Sequence, residues 1–99
     1  MTLEWNVRFS GKAKKQYEKL KKSGTKPAIN DTVDFFVIEL KRFGPERANW
    51  PNYGKLSENR YHCHLKKGNP TYIVCWAILD TKLKQIEIYY VGTHEGSPY

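Results

Sequence analysis

The run "TYIVCWAIL" (71–79) constrains the fold of this chain more than any other segment. It is apolar on both faces of an extended strand, a pattern typical of a strand buried at the centre of a sheet. The preceding "RYHCHLK" (60–66) and the turn residues "KGNP" (67–70) complete a hairpin with it. A further strand, "KQIEIYYVG" (84–92), follows after a short link and is predicted to pair antiparallel beside it.

The N-terminal half predicts one strand and two helices. "LEWNVRF" (3–9) alternates in part between apolar and polar residues, as a half-buried strand does. Ser10 is placed to cap a first helix that runs to about Ser23 and has a lysine-rich exterior. Pro27 suits the first turn of a second helix, which "FGPER" (43–47) ends. The core face of this second helix repeats with a 3.6-residue period at Ile29, Val33, Phe36, Val37 and Leu40.

The order strand, helix, helix and three strands predicts an α+β fold. We expect the two N-terminal helices to pack on one face of a mainly antiparallel four-stranded sheet. The segment 47–54 is rich in turn residues and is predicted as a loop. Ninety-nine residues suit a single domain spanning 1–99, with the other face of the sheet left for function.

The formal charge of +7 favours polyanionic partners such as nucleic acid, or an acidic protein. No stretch has the apolar length needed to span a bilayer, and "MTLEWNVRFS" (1–10) has an early acid and no hydrophobic signal region. We therefore expect a cytoplasmic protein with no membrane partner. Cys63 and Cys75 lie in predicted strands, without the cysteine density of a disulfide scaffold, and are interpreted as buried free thiols.

The three histidines are the side chains best suited to chemistry. His62 and His64 are two residues apart on one strand, so they point to the same face while Cys63 and Leu65 point to the other. If Cys63 and Leu65 face the helices, the two histidines face away from them. His94 follows the end of a strand that lies nearby in the sheet. The three side chains are therefore expected near one groove.

Two kinds of chemistry fit histidines on such a face. One is metal-independent cleavage of RNA, in which a base takes the 2′-OH proton, an acid protonates the leaving 5′-oxygen and fixed positive charge stabilises the phosphate. The other is a three-histidine zinc site with an open position, which the surrounding cations would oppose. The cations expected on this face are Arg60, Lys66 and Lys67, and the aromatics able to stack on an unpaired base are Tyr72, Tyr89 and Tyr99.

Three stretches then suggest a family: "YGKLSENRYHCHLKK" (53–67), "TYIVCWAILD" (71–80) and "YYVGTHEGSPY" (89–99). Together with the size, the charge and the order of elements, they resemble the RelE/ParE superfamily of toxins from bacterial toxin–antitoxin systems. The "GTH" after the last strand and the strand histidine before it are most similar to the RelE and YafQ branch. The resemblance implies a RelE-like fold and a ribosome-dependent mRNA endoribonuclease that inhibits translation and needs no cofactor.

The resemblance also implies roles for individual residues. His94 matches a histidine that transfers a proton at the scissile phosphate, most simply as general acid, and His64 matches a strand histidine that acts as base or phosphate contact. Lys55 matches a lysine near the reaction centre, and Lys66 falls where RelE has an arginine, so a cation is kept without its bidentate geometry. Tyr99 lies near the position of an aromatic that stacks on the substrate.

This chain departs from the family pattern in a further respect. YafQ-like members carry a carboxylate four residues beyond the strand histidine, where this chain has Gly68 beside Lys67. Lys67 and Arg60 are expected to contact substrate, and His62 is expected to be an auxiliary substrate contact. Two alternatives therefore stay open: a ParE-like toxin that inhibits gyrase and cleaves nothing, and an inactive RNA-binding homologue.

Partners follow from the same resemblance. A toxin of this kind is neutralised by a cognate antitoxin protein that folds over it. The basic surface and the two-helix side suit an acidic or amphipathic partner segment. Members of the RelE branch act on mRNA placed in the ribosomal A site, so the ribosome is the second expected partner.

Overall fold

The computed structural model describes residues 4–23, 27–66 and 71–98. Two helices and five strands follow one another in the order β-α-α-β-β-β-β. Their bounds are β1 Asn6–Phe9, α1 Gly11–Ser23, α2 Pro27–Phe43, β2 Gly54–Ser57, β3 Arg60–Lys66, β4 Tyr72–Asp80 and β5 Gln85–Thr93. No helix within these described ranges is long and apolar enough to cross a membrane. The predicted α+β class, with two helices on one side of a mainly antiparallel sheet, is confirmed.

The sheet has the strand order β1-β5-β4-β3-β2, which places the apolar run of β4 at its centre as predicted. β4 pairs antiparallel with both β3 and β5, and β1 pairs parallel with the outer side of β5. The sequence predicts four strands, whereas the sheet contains a fifth, β2, at its edge. Sequence periodicity overlooks this strand because its four residues, "GKLS", contain one large apolar side chain.

The ends of the helices follow the predicted signals. The Ala13 N–H donates to the Ser10 side-chain oxygen at 3.1 Å, so Ser10 is the N-cap of α1. At the end of α2 the Gly44 N–H donates to the Leu40 carbonyl at 2.9 Å. The Tyr17 hydroxyl donates to the Asp34 carboxylate and links the two helices. The turn predicted at 67–70 lies outside the described residues.

The helices and one face of the sheet enclose the main core. Cys63 and Leu65 of β3 point into it, as the alternation of that strand predicts. Trp76 of β4 is fully buried at its centre, with its ring edge-on to Phe36 at 4.9 Å and stacked on Tyr61 at 5.8 Å. Burial of large apolar and aromatic side chains here is the main source of stability.

A hydrogen-bonded loop joins α2 to the sheet. The Glu39 carboxylate of α2 accepts hydrogen bonds from the Trp50 indole at 2.9 Å, the Asn49 amide at 3.3 Å and the Arg47 guanidinium at 3.3 Å. Burial acts to raise the pKa of Glu39, but these three donors outweigh it and hold the pKa below its usual value. The loop 47–53 is therefore fixed against α2.

The opposite side of the sheet, which we call the open face, has only a thin apolar layer. Ile73 and Cys75 of β4 and Tyr90 of β5 are buried there and are joined by the partly buried Leu56 and Tyr89. A β-bulge in β5 pairs Cys75 with Tyr90 but Trp76 with Ile88. Tyr89 is thus an extra residue, and two consecutive tyrosines reach the same face. Both cysteines are free and buried, as predicted, one on each side of the sheet.

Candidate active site

The sheet register brings His64 and His94 together on the open face. His64 of β3 lies opposite Ile73 of β4, and Ile73 lies opposite Gly92 of β5. His94 follows two residues later, at the start of a single 3-10 turn, His94–Gly96, which we call the tail turn. The two imidazole centroids are 5.7 Å apart and the ring planes meet at 74°. Residues 30 positions apart in the chain therefore form one pair.

Main-chain hydrogen bonds hold the backbone of both histidines. The His64 N–H donates to the Pro51 carbonyl at 2.8 Å, so the loop that is fixed on Glu39 also fixes this point of β3. The His94 N–H donates to the Thr71 carbonyl at 2.9 Å, just before β4. The two imidazoles thus project from backbones with defined positions, which is a requirement for proton transfer at a fixed distance.

Tyr90 supports the tail turn from below. Its hydroxyl donates to the Thr93 carbonyl at 2.6 Å, immediately before His94. Burial raises the pKa of Tyr90, so the hydroxyl keeps its proton and remains a donor. A Cβ atom on Gly92 or on Gly96 would lie 2.8 or 2.9 Å from this hydroxyl, closer than real contacts allow. The two glycines therefore let the turn close onto the tyrosine.

His62 belongs to the same electrostatic cluster. Its pKa is lowered, first by burial and then by the neighbouring His64 and His94. The ring occupies the space over Gly54 of β2, where a Cβ would lie 2.9 Å from the His62 Nε2. Burial and the two neighbouring imidazoles both disfavour positive charge on His62, so its neutral form is favoured.

Arg60 shares the open face with the histidines, whereas Lys55 does not. Arg60 lies at the start of β3, and its guanidinium carbon is 5.3 Å from the centroid of the Tyr89 ring. Lys55 pairs with Tyr61 across β2 and β3, and its Nζ is 5.7 Å from the Tyr61 ring centroid. Tyr61 faces the helices, so the structure does not bring Lys55 to the imidazole pair.

Of the remaining predicted residues, Tyr72 lies on the helix side, and the side chains of Lys66, Lys67 and Tyr99 are not among those that the structure describes. Lys66 ends β3, and its Cα pairs with Tyr72 because the register shifts between His64 and Lys66. That shift breaks the strict alternation on which the prediction for Lys66 depended. Tyr72, a stacking candidate from the sequence, packs instead against the core on the helix side. Lys67 and Tyr99 lie outside the described residues.

Metal ligation was the competing interpretation of the three histidines. Among the residues that the structure describes, no group of three or more His, Cys, Asp or Glu side chains is arranged to hold a metal ion. Burial also raises the pKa of the Cys63 and Cys75 thiols, that of Cys75 to about 12, so neither is a ready thiolate ligand.

Sequence reasoning missed two contributors to this site, Tyr90 and Gly54. Nothing in the sequence distinguishes Tyr90 from the other six tyrosines. Its position below the tail turn depends on the bulge at Tyr89. Gly54 belongs to strand β2, which the sequence did not predict, so nothing in the sequence indicated its contact with His62. The pair of glycines at 92 and 96 around the tail histidine was the one available hint of a close approach.

Comparisons with solved structures define the fold. Over 91% of this chain and 97% of the other, the YoeB dimer from Staphylococcus aureus superposes with a TM-score of 0.68 at 17% identity. The metal-bound toxin from Helicobacter pylori gives 0.67 at 18% identity, over 92% of this chain and 96% of that one. RelE from the archaeal RelE–RelB complex of Pyrococcus horikoshii OT3 gives 0.67 at 16% identity, over 98% and 100%.

These matches show that the chain has the fold of RelE- and YoeB-type toxins, which its sequence resemblance predicted. Sequence identities of 16–18% support a shared fold and no further property. No family model matches the sequence, and no curated protein matches it either.

Proposed function

We propose that this chain is the toxin of a toxin–antitoxin pair and an endoribonuclease that cleaves mRNA in the ribosomal A site. The observation that carries the proposal is the His64–His94 pair, with centroids 5.7 Å apart on the open face, opposite the two described helices. The RelE and YoeB folds of the structural neighbours support the toxin assignment. The whole chain acts as one domain in the cytoplasm, where ribosomes are found.

The reaction needs two proton transfers on opposite sides of one phosphorus. His64 accepts the 2′-OH proton as the 2′-oxygen attacks, with His62 beside it as a second acceptor whose lowered pKa favours the neutral ring. The bond between phosphorus and the 5′-oxygen breaks, and His94 gives its proton to that oxygen. The products are a 2′,3′-cyclic phosphate and a 5′-hydroxyl, so no water is consumed.

A protein partner is part of the proposal. RelE of the archaeal complex is bound to RelB, and a cognate antitoxin is proposed for this chain on the same grounds. The helix side offers suitable features, since Phe35 and Ile38 of α2 are 56% and 47% exposed. The neighbouring α1 carries six lysines, which favour an amphipathic segment with acidic residues.

Induction in bacteria tests the activity. Expression of the wild-type chain should arrest growth, and primer extension should map new mRNA ends within ribosome-occupied codons. His94→Ala should abolish both. Lys82→Ala, an exposed substitution in the turn between β4 and β5, serves as the control and should behave as wild type. Full growth arrest by His94→Ala with intact mRNA and induced DNA-damage signalling would instead support gyrase inhibition.

Treatment with a chelator distinguishes proton transfer by the histidines from metal binding by them. Protein that has been treated with EDTA and then freed of the chelator should cleave ribosome-bound mRNA at the same rate as untreated protein, because imidazoles supply both proton transfers. Loss of cleavage after this treatment, restored by zinc, would favour the metal site over the acid–base pair.

A further inference from the structure

We propose that a groove on the open face, beside the histidine cluster, binds an unpaired RNA base next to the scissile phosphate; this inference rests on the function proposed above. The groove has a volume of about 390 Å³. We call it the Arg60 groove, and its walls are Leu56, Ser57, Asn59, Arg60, Tyr89 and Pro98.

The Arg60 groove lies on the same face of the sheet as the site. Arg60 precedes His62 by two residues on the same strand, so it lies about 7 Å away along β3 and points to the same face. Pro98 belongs to the segment that follows the tail turn, so the chain that carries His94 also forms a wall of the groove. A nucleotide chain whose phosphate lies between His64 and His94 would run along β3 toward this groove, since Arg60 is four residues, about 13 Å, from His64 on the same strand.

The floor of the groove is built for stacking. Tyr89 is the extra residue of the β5 bulge, and a side-chain hydrogen bond to Cys75 anchors it on the buried layer. The Arg60 guanidinium lies 5.3 Å from the Tyr89 ring centroid, a cation–π arrangement that holds a long exposed side chain in place. Arginine planes and tyrosine rings are the surfaces on which proteins stack unpaired bases.

The rim of the groove has fixed polar groups. The Asn59 amide donates to the Ile78 carbonyl at 3.4 Å, and the Ser57 hydroxyl donates to the Asn59 side-chain oxygen at 3.5 Å. These groups lie at the edge of the space that a stacked base would occupy, where base edges present donors and acceptors. The Arg60 groove is therefore a place where nucleotide preference can arise.

Charge in this region suits RNA. Glu87 is the carboxylate of β5 on the same face, and it forms an ion pair with Arg8 of β1 at 3.2 Å. Arg8 offsets this negative charge, which leaves the positive charge of Arg60 to act on the phosphates that flank the base. An acidic peptide would also be attracted, but it would gain nothing from the stacking floor.

The test uses a short RNA that cannot be cleaved, with 2′-O-methyl sugars and the fluorescent base 2-aminopurine moved along the sequence one position at a time. Titration with the purified protein should quench the emission at one position next to the site. Arg60→Ala and Tyr89→Leu should abolish that quenching and raise Kd about 10- to 100-fold, the range for loss of one stacked base. Both variants should keep the wild-type circular dichroism.

Matched variants separate stacking from charge. Arg42→Ala removes an equal charge from exposed α2 and should change Kd about twofold or less. Tyr89→Phe keeps the ring and should keep the quenching, which guards against misfolding of Tyr89→Leu. Equal weakening by Arg60→Ala and Arg42→Ala, with quenching retained, would overturn the proposal. Binding of an acidic peptide in place of the RNA would also overturn it.

The two proposals fail separately. If the probe is quenched at one position but the wild-type chain cleaves no RNA in cells, the nuclease function is wrong and the groove remains a base-binding site. If cells show cleavage with unchanged nucleotide preference in Arg60→Ala and Tyr89→Leu, the nuclease function stands and the groove is wrong.

Discussion

The two faces of the sheet differ in what they bury and in what they expose. The helix side encloses most of the buried residues that the structure describes, including Trp76 and Phe36. The open face buries Ile73, Cys75 and Tyr90, with the histidine cluster above this thin layer. The main core and the proposed site thus lie on opposite faces of one sheet, and a substitution on either face should affect mainly stability or mainly the proposed activity.

The largest effect on stability is expected on the helix side. Trp76→Ala removes a fully buried indole that contacts Phe36 and Tyr61, so the free energy of unfolding should fall by about 3–5 kcal/mol. Urea unfolding followed by circular dichroism measures it. His64→Ala on the open face should cost about 1 kcal/mol or less while removing cleavage. Equal losses of unfolding free energy in Trp76→Ala and His64→Ala would contradict the expected difference between the two faces.

The two cysteines allow the faces to be compared within one molecule. Burial raises the pKa of both thiols, so each reacts with a thiol reagent only when its surroundings open. Cys75 lies under the thin layer and Cys63 under the helices, so Cys75 should be labelled at least about tenfold faster in native conditions through local opening. Mass spectrometry of timed alkylation, with Cys63→Ala and Cys75→Ala as references, gives the two rates. Identical rates would mean that both faces open only by global unfolding.

Tyr90→Phe tests the support beneath the tail turn. It removes the hydroxyl that donates a hydrogen bond to the Thr93 carbonyl, so the free energy of unfolding should fall by about 1 kcal/mol. Cleavage should fall further, by about 10- to 100-fold in kcat, because His94 loses its fixed position. Tyr17→Phe, which removes the hydroxyl bonded to Asp34 on the helix side, is the matched control and should leave kcat unchanged. Parallel losses of kcat in both variants would point to general destabilisation.

The smallest expected effect is that of His62 on the pH dependence of stability. Its pKa in the folded protein is lowered from the ordinary value of 6.5, first by burial and then by His64 and His94. In the unfolded chain the ordinary pKa returns, so the unfolded state binds more protons as pH falls through 6.5. The stability that this histidine contributes is therefore complete above 6.5 and is lost as pH falls toward the folded pKa.

His62→Gln should flatten that part of the stability profile, measured by urea unfolding between about pH 5 and about pH 7.5. Lys82→Ala, on the exposed turn between β4 and β5, should leave the profile as in the wild type. A profile of His62→Gln that still falls as steeply as the wild type would assign the pH dependence to other groups.

The fold was predictable where one periodicity dominated. The apolar run of β4, the 3.6-residue period of α2 and the Ser10 cap each specified an element from local sequence alone. β2 was not predictable, since a short edge strand is defined by its pairing with β3 and not by its own composition.

The site was predictable to the extent that it depends on alternation. His62 and His64 share a face because one strand carries both, and His94 follows the neighbour of β4. The bulges could not be predicted, because one extra residue shifts the pairing register of a strand without a marked sequence signal. For this reason the support that Tyr90 gives to the tail turn and the register shift before Lys66 emerged only from the structure, whereas Tyr89 was already a stacking candidate from the sequence.

The parallel pairing of β1 with β5 has a consequence for folding. Arg8 and Glu87, which pair across these strands, are 79 residues apart in the chain. Pairing between such distant segments carries a large loop-closure cost and slows folding relative to helical contacts. The strand that carries the tail turn is flanked on both sides only after this pairing has formed. A newly made chain is therefore expected to form its helices and the β3–β4–β5 pairings, which bring the two imidazoles together, before β1 covers the edge of β5.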